Sequence, residues 1–82
     1  MKIVFYDWRV KMKKSTTVKT RTMGYVWIDT CDTFDRGWET MVFRCDENGK
    51  VLDWMDLDSE LYINENNAAK GHDKMVEKWK DM

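Results

Sequence analysis

Residues 39–79, ETMVFRCDENGKVLDWMDLDSELYINENNAAKGHDKMVEKW, decide the fold. Glu39 to Cys45 reads as a strand, and Val51 to Met55 as its return across a turn. Asn48-Gly49 suits a two-residue type I′ turn, because both residue types tolerate positive φ. That turn pairs Cys45 with Leu52, Arg44 with Asp53, Phe43 with Trp54 and Val42 with Met55. It places Met41, Phe43, Cys45, Leu52 and Trp54 on a core face, with Arg44 and Asp53 as a cross-strand ion pair on the other. A longer turn built on Asp46 shifts this register.

Leu61-Tyr62-Ile63 reads as a short final strand. Asn64 then offers an N-cap, and Glu65 sits at the positive end of a helix dipole. Ala68, His72, Met75, Val76 and Trp79 follow at helical spacing and form one apolar stripe. Lys70, Lys74, Glu77, Lys78 and Lys80 face water. Gly71 weakens the helix interior by about 1 kcal/mol relative to Ala, a cost that close packing on the sheet offsets.

Working outward, Ile3 to Val10 alternates Val4, Tyr6, Trp8 and Val10, as a first strand does. Lys11 to Thr17 is polar and basic and reads as a hairpin tip. Val18 to Asp29 reads as the second strand, with Gly24 marking a bulge or a close backbone approach. Asp32 to Gly37 reads as a loop. The whole is expected to be α+β: one domain, residues 1–82, with an antiparallel sheet of four to five strands and a C-terminal helix on one face. One helix covers one side only. Tyr25 and Trp27 alternate with Val26 and Ile28, so both faces of the second strand are apolar and something else covers the other side.

The chain has 82 residues, 43% apolar and 35% charged, with five Trp, three Tyr and three Phe. That composition belongs to a globular domain rather than a disordered one. The net charge of −1 hides an asymmetry, with residues 1–30 at +5 and residues 31–65 at −7. No secretory leader and no membrane span is legible, so Cys31 and Cys45 are expected as free thiols in a reducing cytoplasm.

No catalytic constellation emerges. His72 lies on the apolar helix stripe and reads as a packed, hydrogen-bonded core histidine. Asp53, Asp56, Asp58 and Glu60 lack the glycine and terminal glutamate spacing of a calcium loop, so no metal and no cofactor is expected. Arg9, Lys11, Lys13, Lys14, Lys19 and Arg21, with aromatic neighbours, suit the backbone of a nucleic acid as an alternative function. The aromatic excess points instead to protein contact, with Trp8, Tyr25 and Trp27 as anchors. A symmetric homo-oligomer or another protein would then cover that face.

The segments Glu39-Thr-Met-Val-Phe43, Asp46-Glu-Asn-Gly-Lys50, Asp53-Trp54, Leu61-Tyr62 and Ala68-Ala-Lys-Gly-His72, with Met75-Val-Glu-Lys-Trp79, carry a resemblance. They are similar to small proteins of bacteriophages and prophages, in which an E-T-M-V-F strand leads through a hairpin to a helix with A-x-x-G-H. The likeness covers about half of the chain, Glu39 to Lys80. It implies a cytoplasmic accessory protein of a phage or mobile element, of a kind that often binds a host or defence protein. With no catalytic constellation in the chain, a non-enzymatic role is expected. The basic N-terminal hairpin lies outside it.

Overall fold

The structure is a computed structural model that describes residues 13–33 and 37–82. Strands β1 (Lys13–Lys19), β2 (Tyr25–Thr33), β3 (Gly37–Cys45) and β4 (Val51–Tyr62) form one antiparallel sheet in the order β1-β2-β3-β4. Helix α1 (Glu65–Lys80) packs on one face. The expected α+β architecture is therefore present. The expected first strand, Ile3–Val10, lies outside the described residues.

Alternation sets what each face holds. Val18, Val26, Ile28 and Val42 point to α1 and meet Met75 and Trp79, with Val76 at the margin. Ala68, Gly71, His72, Met75 and Trp79 are the buried residues of the helix, so the apolar stripe expected from spacing is the one that packs. Asn64 caps it: its side chain accepts from the Asn67 amide at 2.9 Å. Lys78 and Lys80 in the last turn oppose the dipole at the other end.

Several boundaries differ from the sequence reading. Lys13–Thr17, expected in a hairpin tip, belongs to β1. The expected second strand, Val18–Asp29, instead contains the end of β1, a turn and most of β2. The turn spans residues 20–24: the Thr20 amide donates to the Gly24 carbonyl at 2.8 Å, and the Thr20 hydroxyl accepts from the Met23 amide at 2.8 Å. Gly24, at φ 80°, closes this turn rather than forming a bulge. Asp32 and Thr33, expected in a loop, extend β2.

The β3–β4 turn is the longer one built on Asp46. The Gly49 amide donates to the Asp46 carbonyl at 3.0 Å, and the Asp46 amide to the Lys50 carbonyl at 2.9 Å. Gly49 takes φ 85° and Asn48 does not take positive φ, so the two-residue turn is replaced by a three-residue one. The Asp46 carboxylate accepts from the amides of Asn48 and Lys50, which holds its pKa below the ordinary value.

Register follows from that turn. Cys45 pairs with Val51 rather than Leu52, while Arg44 still faces Asp53. Pairing then jumps, and Val42 faces Asp58 instead of Met55. Residues 54–57 thus bulge from β4 opposite Phe43. Leu61 and Tyr62 end β4 rather than forming a separate strand.

Candidate functional site

The bulge starts at Asp53, whose carboxylate accepts from the Met55 amide at 3.0 Å. Such a side-chain turn supplies a local partner for backbone that has left the ladder. It directs Trp54 back over the helix-free face. There Trp54 meets Phe43 edge-on at 5.1 Å and Trp27 edge-on at 6.3 Å, and Trp27 lies 6.2 Å from Phe43. Arrangements of this kind are favoured by ring quadrupoles.

This face is only partly open. Phe43 and Cys45 are buried, and Tyr25 and Trp27 are half-buried. The β3–β4 turn helps to cover it: a Cβ on residue 49 would stand 2.7 Å from Thr17 Oγ1, so the turn curls to reach β1. The expectation that something besides the helix covers the second face has its answer here in part. Leu52 and Trp54 depart from the expected core face, being 66% and 69% exposed. Met55 is 74% exposed and Leu57 also faces solvent. Most of the exposed large apolar side chains among the described residues are therefore on β4, and Trp54 rather than Tyr25 or Trp27 is the aromatic among them. Trp54 was visible in the sequence as a hydrophobe; its displacement by the bulge was not.

The expected anchor Trp8 lies outside the described residues, as do Arg9 and Lys11. Among the other basic residues, Lys13 pairs with Asp29 at 3.0 Å and lies 5.5 Å over the Trp27 ring. Lys14 points to the opposite face and pairs with Asp73 at 3.2 Å. Lys19 ends β1 and Arg21 lies in the turn after it, both exposed. These four do not share one surface.

The interior holds a polar chain that crosses the sheet under the helix. At its edge Tyr62 donates its hydroxyl proton to the Glu60 carboxylate at 3.3 Å. Beneath the helix the hydroxyls of Thr40 and Thr30 share a hydrogen bond. The Thr30 hydroxyl also bonds His72 Nδ1 at 2.6 Å, and the Thr16 hydroxyl bonds His72 Nε2 at 2.8 Å. Threonine hydroxyls can donate or accept, so a neutral His72 ring has both nitrogens satisfied in either tautomer. Burial of His72 lowers its pKa, and Lys14 adds to this against the opposing charges of Asp73 and Asp29. His72 is fully buried with both nitrogens bonded, which is the packed role expected of it.

Asp58 faces α1, where its carboxylate accepts from Lys78 at 2.7 Å and from Trp79 Nε1 at 3.1 Å. Among the described residues no group of three His, Cys, Asp or Glu side chains converges as a metal site requires. Cys31 and Cys45 are free thiols, and burial raises the pKa of both. They lie on β2 and β3, paired in register with Glu39 and Tyr25 respectively.

Comparison with known proteins adds no relative. No known protein family, curated protein or solved structure matches this chain. No helix among the described residues is long and apolar enough to cross a membrane.

Proposed function

We propose that this protein acts by binding another protein through the bulged part of β4, as an accessory factor of a phage or mobile element directed at a host or defence protein. The observation that carries this reading is the exposed run Leu52, Trp54, Met55 and Leu57. A bulge that exposes these side chains in a small domain gives up burial that a partner can restore. Tryptophan is enriched among residues that dominate binding energy, and Trp54 is braced from behind by Phe43 and Trp27. Asp53 and Asp56 flank the apolar side chains, so the fitting partner is an apolar pocket with a basic rim. The resemblance to phage and prophage proteins supports the biological setting. The ion pairs of Lys13 and Lys14 weigh against a nucleic-acid role for the basic segment.

The test is photo-crosslinking from position 55 in host cells, followed by affinity measurement on the purified captured protein. Trp54→Ser with Met55→Ser is expected to weaken that affinity by about thirtyfold or more, the range of a hot-spot residue. Folded double variants that bind the captured protein as the parent does would overturn the proposal. Capture of a second copy alone, with light scattering showing a dimer that the variants abolish, makes self-association the role of this surface and also overturns it.

A further inference from the structure

The other half of β4 offers a different surface. Beyond the bulge, strand and helix enclose two adjoining grooves of about 310 and 360 Å³. Glu60 and Lys74 line both, so they form one channel. Lys70, Lys74 and Lys78 stand along it at i, i+4 and i+8, on one face of α1. Lys78 is engaged by Asp58, while Lys70 and Lys74 have no ion-pair partner among the described residues. On the strand side, Leu61 is 57% exposed and Ile63 89%. Among the described residues β4 is also an outer strand of the sheet.

We propose that this channel takes an extended acidic segment of another protein, added as a strand outside β4 with alternate carboxylates on Lys70 and Lys74. Four residues of helix rise about 6 Å, and two residues of strand about 6.6 Å. Lysines four apart on α1 therefore match side chains two apart on a neighbouring strand. From residue 67 to residue 78 the channel runs roughly 16 Å, the length of about five extended residues. Outer-strand amides and carbonyls supply main-chain pairing, and the intervening apolar side chains of the segment meet Leu61 and Ile63. The Glu60 carboxylate, turned to the Tyr62 hydroxyl, repels incoming carboxylates, so these settle on the lysine side of the channel. A single-stranded nucleic acid has similarly spaced charges, but among the described residues Tyr62 is the only aromatic lining the channel, and its ring is packed against Gly71. This inference does not depend on the bulge, which lies on the first half of the strand.

The experiment uses the full chain and a fluorescent peptide alternating Asp with Val. Saturable binding is expected, weakened by salt. The exposed Lys70→Glu and Lys74→Glu changes together should reduce affinity by about tenfold or more. A proline at the peptide's centre should weaken it as well, because proline cannot complete the strand pairing. Trp54→Ser with Met55→Ser should leave it unchanged, which separates this surface from the bulge. Absence of binding, equal binding of a Lys-Val peptide, equal binding by the lysine double variant or by the proline peptide, or tighter binding of oligothymidylate would each overturn the proposal.

Discussion

Tyr62 and Gly71 compete for one space: a Cβ built on residue 71 would fall inside the Tyr62 ring, against Cε1, Cζ and the hydroxyl. The glycine that weakens the helix is what lets the phenol pass beneath it and reach Glu60.

That relationship predicts a reversal of sign. Alanine in a helix interior normally stabilises by about 1 kcal/mol over glycine. Here Gly71→Ala should instead destabilise, because the new Cβ displaces the Tyr62 ring from its place under the helix. In a Tyr62→Ala background the same change should become stabilising. Urea unfolding of the four proteins checks this, and the same sign in both backgrounds would show that the ring moves aside freely.

Gly49 is restricted twice, by its φ of 85° and by Thr17 Oγ1 at 2.7 Å from a Cβ placed there. Gly49→Ala should cost about 1–2 kcal/mol from the left-handed conformation alone, with the contact adding to it. Asparagine tolerates that conformation, so Gly49→Asn measures mainly the contact. Its cost should shrink when combined with Thr17→Ala. Additive effects in the double variant would place the turn away from β1.

Trp79 closes the core beneath α1 while its indole N–H bonds to Asp58. Trp79→Ala should cost about 3–5 kcal/mol, close to the whole stability of a domain this size. Trp79→Phe keeps most of the packing and loses the hydrogen bond, so about 1–2 kcal/mol is expected. Either variant melting like the parent would mean that this helix face is misplaced.

Stability should fall with acid in two stages. His72 is held below its ordinary value by burial and by Lys14, so the native state resists its protonation. Its contribution is complete above about pH 6.5 and is lost as pH drops through the lower folded value. For Asp58, burial raises the pKa, but the hydrogen bonds from Lys78 and Trp79 outweigh it and leave a lowered value. That contribution is present above about pH 3.9 and is lost below it, through the folded value. Urea midpoints across pH should show the first stage in the parent and not in His72→Gln. An unchanged slope between neutral pH and pH 5 in that variant would remove His72 as its source.

The helix was legible because its signals are local. Asn64, Glu65 and the spacing of Ala68, His72, Met75 and Trp79 act within one element, and each does in the fold what its type and position imply. The β1–β2 turn was harder. Lys13–Lys19 carries Ser15, Thr16, Thr17 and Val18, which suit a strand, but its lysines resemble a loop until Asp29 and Asp73 are placed beside them. Gly24 was conspicuous in either reading, yet its turn depends on Thr20 accepting from Met23.

Residue types and their periodicities were thus enough for the α+β class, the capped helix and the face it buries. They also indicated that a second face needs cover. Strand register was decided elsewhere. The Asp46 side chain selects a three-residue turn, and pairing then skips from Asp53 to Asp58, which turns Trp54, Met55 and Leu57 outward. Side chains alternate with period two along a strand, so a slip of a single residue exchanges core for surface. The turn itself is local to Asp46, but the skip in pairing depends on contacts between residues distant in the chain, and only the assembled sheet contains them.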